Sequence, residues 1–108
     1  MSNLTDMFAA LGDSTRFAIV ERLLSDGELS AGEIQAETQI TAPAVSRHLK
    51  ILRNAGLVDR RGHRQQRIYR AKPEAVGAVA AWAMSHKDFW ESSLNRLEQA
   101  LSKEMNRK

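Results

Sequence analysis

Apolar residues return along the chain at helical spacing, give way to an alternating stretch past the middle, and then return to helical spacing. Leu4, Met7, Phe8 and Leu11 stand at i, i+3, i+4 and i+7, which marks one face of a helix. Gly12 stops that helix, and Asp13 or Ser14 caps the next, whose apolar side is Phe17, Ile19, Val20, Leu23 and Leu24. Asp26-Gly27 reads as a turn. Ser30-Ala31-Gly32-Glu33 fits a capping box and opens a short helix to about Thr38. Gln39-Ile40 is a tight connection. Thr41 is a second N-cap, with Pro43 in a first turn where its missing N–H matters little. The helix over 42–54 ends before Gly56, a residue suited to a left-handed stop. The period then changes. Leu57 to Arg61 and Arg67 to Ala71 read as strands joined by the polar link 62–66, a hairpin. Pro73 opens a helical region over 73–105. The run Ser85-His86-Lys87-Asp88 offers an internal cap, so one long helix and two helices both fit. Trp90, Leu94, Leu97, Leu101 and Met105 form an apolar stripe along its second half.

The order is helix, helix, short helix, turn, helix, hairpin, helix. It predicts a mainly α chain with a small β-hairpin, a single winged helix-turn-helix domain over 1–108. The recognition helix is 42–54, the wing 57–71 and the C-terminal helices 73–105. On a wheel, Val45, Leu49 and Leu52 cluster on one side of the recognition helix and face the core. Ser46, Arg47 and Lys50 fall opposite, while Thr41, Ala42 and Ala44 lie at the N-terminal end. Short side chains with a few donors suit close approach to base edges in the major groove, and Arg47 has the fork for guanine O6 and N7. Arg60, Arg61, Arg64 and Arg67 arm the wing, which such folds lay on the backbone or in the minor groove. His48 sits at the edge of the inner stripe, where it either meets a phosphate or fills the rim of the core.

Charge sharpens this picture. The chain has 108 residues and a net charge of +3, but nine basic residues lie between Arg47 and Lys72 against Asp59 alone. That segment carries +8 and the remainder −5. Such a patch is what a phosphate backbone selects for, and beside the recognition helix the expected partner is a double-stranded DNA operator. There is no cysteine, no apolar run long enough to span a membrane, and no basic region followed by an apolar stretch at the start. A cytoplasmic protein is expected. His48, His63 and His86 lie on three different elements, with no nucleophile–base pair at motif spacing and no glycine-rich phosphate loop, so an enzyme is not expected. A winged helix that binds protein or RNA is the alternative, and the +8 segment argues against a purely protein partner.

At Phe8-Ala9-Ala10-Leu11-Gly12-Asp13-Ser14-Thr15-Arg16, at Ala44-Val45-Ser46-Arg47-His48-Leu49-Lys50-Ile51-Leu52, at Ala55-Gly56-Leu57-Val58 and at Arg67-Ile68-Tyr69-Arg70, the chain resembles the ArsR/SmtB (arsenical-resistance repressor) family of bacterial winged-helix regulators. The resemblance implies a homodimer through the first and last helices that represses by occupying promoters until an effector, small molecule or protein, binds. The corresponding interface residues are Leu4, Met7, Phe8, Leu11, Trp82, Phe89, Trp90, Leu94 and Leu97. Apolar surface of this extent exceeds what a monomer covers. Family metal sensors often carry Cys-x-Cys where this chain has Ser30 and Gly32, and the C-terminal region holds His86 alone, so no metal and no cofactor are expected. The Trp82, Phe89 and Trp90 cluster is similar to a cysteine-free branch. The family's frequent Ser-Gln at the start of the recognition helix is Thr41-Ala42 here, which removes one base-reading amide.

Overall fold

The computed structural model describes residues 4–106. The chain divides into two compact units, Met1–Ala78 and Val79–Lys108. The first holds α1 (Leu4–Leu11), α2 (Ser14–Asp26), β1 (Leu29–Ser30), α3 (Ala31–Ala36), α4 (Ala42–Asn54), β2 (Val58–His63) and β3 (Gln66–Ala71). Helix α5 (Pro73–Ser85) starts in the first unit and runs into the second, where α6 (Lys87–Met105) follows. The fold is a winged helix-turn-helix, mostly helical with one small antiparallel sheet.

Helices α2, α3 and α4 each start where the chain supplies an acceptor for their orphan N–H groups. Asp13, not Ser14, caps α2, its carboxylate accepting from the Arg16 N–H at 3.0 Å. The capping box of α3 is closed in both directions: the Glu33 N–H donates to Ser30 Oγ at 3.1 Å and the Ser30 N–H to Glu33 Oε1 at 2.9 Å. Thr41 caps α4 by accepting from the Ala44 N–H at 3.3 Å. The far end of α4 closes in a Schellman motif. The Gly56 N–H donates to the Arg53 carbonyl and the Leu57 N–H to the Leu52 carbonyl, both at 3.0 Å, with Gly56 at φ 81°. Leu52 and Leu57 are both buried, which supplies the hydrophobic contact that accompanies this motif.

The core of this unit gathers Val45, Leu49 and Leu52 from α4 with Ile34 of α3, Ile19 and Leu23 of α2, and Leu29, Val58 and Tyr69 of the sheet. Helix α1 packs on α2 and α4 and buries Met7 and Ala10, with Leu4 and Leu11 half-buried and Phe8 exposed. Phe17 and Leu24, expected on the apolar side of α2, are exposed. They lie about 100° from the direction set by Ile19, Val20 and Leu23, so α2 carries a second apolar stripe that its core does not use.

The sheet has three strands, not two, in the order β1-β3-β2. Strand β1 is two residues long and pairs Leu29 with Tyr69 and Ser30 with Ile68. It is too short to show an alternation, and Ser30 doubles as the cap of α3. The hairpin runs in register from Val58↔Ala71 to His63↔Gln66. The expected five-residue link therefore shrinks to a turn at Arg64 and Gln65, with Arg64 at φ 58°.

In the C-terminal region the chain makes two helices, α5 and α6, that meet at His86. The Ser85 hydroxyl donates to the Trp82 carbonyl at 2.7 Å, and His86 stands at the start of α6 without a side-chain capping bond. Trp82 meets the His86 ring edge-on at 5.4 Å, and Phe89 meets Trp90 likewise at 5.1 Å. Helix α6 buries no residue. Among the described residues, no helix is long and apolar enough to cross a membrane.

Candidate nucleic-acid interface

Helix α4 is sealed by its inner stripe, which turns a defined face outward. Thr41, Ala42, Ser46, Arg47 and Lys50 are exposed, and Ala44 is half-buried on the flank. Arg47 and Lys50 make no hydrogen bond or ion pair among the described residues, so both side chains are free to take an external acceptor.

The wing sorts its cations by face. Side chains of directly paired residues share one face of a sheet, so the register puts Val58, Arg60, Arg67, Tyr69 and Ala71 on one side. Asp59, Arg61, His63, Gln66, Ile68 and Arg70 are on the other. On that second face the charges are closed internally. Arg70 grips Asp59 with two bonds, at 2.8 Å and 3.2 Å. Arg61 reaches across to Glu28, just ahead of β1. The Arg70 guanidinium holds the Asp59 carboxyl below the usual carboxylate range, and Arg61 does the same to Glu28. Arg60, Arg67 and the turn residue Arg64 have no such partner among the described residues.

His48 is turned toward the junction of α1 and α2. Its Nδ1 lies 3.4 Å from Arg16 Nη1 and 3.9 Å from Asp13 Oδ2. Arg16 also donates from Nε to the Ala10 carbonyl at 2.7 Å, and the backbone N–H of Arg16 keeps the Asp13 carboxyl below its ordinary range. Sequence patterns did not single out Arg16 or Glu28. Arg16 stands on the Ile19, Val20 and Leu23 side of α2, where a charged residue interrupts the apolar pattern instead of extending it, and Glu28 stands 33 residues before its partner Arg61. Among the described residues, no group of three or more His, Asp or Glu side chains gathers where a metal ion could be held.

The arrangement matches known proteins in sequence and in shape. Residues 13–60, from the cap of α2 to the first half of the wing, match the family described as bacterial regulatory protein, arsR family. The chain is 38% identical to the HTH-type transcriptional regulator Rv2034 of Mycobacterium tuberculosis over 95 residues, 88% of this chain and 85% of that protein. It is 45% identical to the biofilm growth-associated repressor of Agrobacterium fabrum over 59 residues, 54% of this chain and 50% of that one. The crystal structure of the ArsR family transcriptional regulator RHA00566 superposes with a TM-score of 0.73 at 28% identity, over 85% of this chain and 98% of that one. These relatives are regulators rather than enzymes, and the chain belongs to the ArsR family of DNA-binding transcriptional regulators.

Proposed function

We propose that the protein is a homodimeric repressor that binds an inverted-repeat operator. Helix α4 enters the major groove, and the wing lies on the backbone or in the adjacent minor groove. The observation that carries this is the uncommitted cationic surface. Arg47 and Lys50 on α4 and Arg60, Arg64 and Arg67 on the wing are exposed and have no partner among the described residues, while their neighbours Arg61 and Arg70 are neutralised. Thr41, Ala42, Ala44 and Ser46 let the N-terminal half of α4 come close to base edges, and Arg47 supplies the bidentate donor. Arg61 reaches DNA only by exchanging Glu28 for a phosphate. Repression is supported by the name of the Agrobacterium relative.

Dimerisation is supported by the exposed apolar surface of the terminal helices: Phe8 on α1, Trp82 on α5, and Phe89, Trp90, Leu94 and Leu97 on α6. Leu4 and Leu11 of α1 are half-buried, while Met7 already serves the core of one chain. A two-fold dimer sets its recognition helices about 34 Å apart, one turn of DNA. Release by an unidentified effector completes the cycle.

The test is selection of bound sequences from random duplex DNA, followed by titration of the winner at several salt concentrations. The expected result is an inverted repeat bound by one dimer, about 10³-fold tighter than random duplex. Enrichment of no sequence, or of a single half-site bound by a monomer, would overturn it.

A further inference from the structure

His48 lies on the flank of α4, between the buried stripe and the outer face, with its side chain 22% exposed. Its surroundings decide which ring nitrogen carries the proton. A guanidinium only donates, so the ring atom that faces Arg16 Nη1 at 3.4 Å has to accept. The nearest competing group, the Asp13 carboxylate at 3.9 Å, stands beyond hydrogen-bond reach. Arg16 is itself fixed, because its Nε donates to the Ala10 carbonyl near the end of α1 at 2.7 Å. The neutral imidazole therefore leaves its lone pair on Nδ1 and its proton on Nε2. The two ring nitrogens point in diverging directions, so with Nδ1 turned to the α1–α2 junction the Nε2–H is aimed away from it. A neutral N–H donor on the flank of a helix in the major groove suits a backbone phosphate, which only accepts.

We infer that Arg16 is a positioning residue for DNA binding. It holds His48 in the tautomer whose Nε2–H donates to a backbone phosphate, and its bond to the Ala10 carbonyl ties that contact to α1. This rests on α4 serving as the recognition helix. It also makes His48 a register-setting contact rather than a base reader, so its loss weakens binding to all sequences alike.

Two readouts test the proposal. The first is the tautomer of His48 in the free protein, from long-range ¹H–¹⁵N NMR spectra at neutral pH. The Nε2–H form is expected in the native chain, and a mixture of tautomers is expected in Arg16→Met. A native chain with its proton on Nδ1 would overturn the proposal, whatever the protein does with DNA. The second readout is affinity for operator and for random duplex. His48→Gln, whose amide nitrogen reproduces the position of Nε2, is expected to bind within about threefold of the native chain. His48→Ala and His48→Asn, whose amide reaches only the inner position, are expected to lose about tenfold on both DNAs. Arg16→Met is expected to lose about twofold to threefold, since part of the ring keeps the competent tautomer, and the double variant no more than His48→Ala alone. Additive losses would show that Arg16 acts independently of His48 and would overturn the proposal. Should Arg16→Met fail to fold, the His48 variants decide alone, and equal losses in Gln and Asn overturn it.

Discussion

Arg64 is the residue at which local geometry and function pull apart. It occupies the first position of a two-residue turn with φ 58°, where glycine or asparagine sits most easily. A side chain with a Cβ in that region costs about 1 kcal/mol. Strain of this kind persists where the side chain is needed. Arg64→Gly is therefore expected to raise the thermal midpoint by a few degrees while lowering affinity for operator and random duplex alike. The slope of log affinity against log salt should shallow by about one unit. An unchanged slope would take the wing tip off the DNA. Arg47 makes the opposite prediction. Arg47→Ala should lose about 1–3 kcal/mol on the operator through the missing guanine contact, with a far smaller loss on random duplex. If titration showed equal losses on both DNAs, Arg47 would be a phosphate contact instead.

The wing shows how an element controls its own charge. Its sequence reads as uniformly basic, yet Glu28 and Asp59 close Arg61 and Arg70 on one face and leave Arg60 and Arg67 open on the other. Glu28→Gln should release Arg61, raise affinity for random duplex more than for operator, and steepen the salt slope by up to about one unit. An unchanged slope would mean that Arg61 never reaches a phosphate. Acid acts on the same pairs. Both carboxyls titrate below their ordinary range in the folded protein. The stabilisation is complete above the unfolded-state values, near pH 4, and is lost as pH falls through the folded values. Thermal melts should show the native chain losing more stability below about pH 4 than a Glu28→Gln, Asp59→Asn double variant, and equal losses would count against these pairs. Helices α2, α3 and α4 were legible because their boundaries carry their chemistry locally: Asp13, Ser30 with Glu33, Thr41 and Gly56 all act within a few residues of themselves. What escaped was non-local or unsigned. Strand β1 is two residues long and exists only because β3 passes beside it. The turn at Arg64 and Gln65 carries no turn residue, so the strands run further than their polar ends suggest. Phe17 and Leu24 look like core by composition, and only the direction set by Ile19, Val20 and Leu23 shows that they are not.

At the scale of the molecule, the terminal helix is the part that one chain does not satisfy. Helix α6 runs 19 residues and buries none of them, yet Trp90, Leu94, Leu97, Leu101 and Met105 follow one side of it. An isolated helix of this length is marginal in water, and its stability normally comes from packing an apolar face. In a two-fold dimer a single substitution acts twice, since both copies lose the same side chain. Leu94→Ala removes about 1–2 kcal/mol of burial per protomer, so dimer dissociation should become roughly 10²-fold easier. Sedimentation at micromolar concentration should show the average mass falling toward that of a monomer, with helical circular dichroism falling as α6 loses its partner. Operator affinity should fall with it, because a monomer reaches one half-site and forfeits the second as an intramolecular contact. Glu98→Ala, a loss of charge from the same helix, serves as the control and should leave the mass unchanged. A Leu94→Ala chain that sediments as the native protein does would remove α6 from the interface. The same truncation at Phe17 and Leu24 of α2, a second exposed apolar stripe, would then test the proposed dimer there.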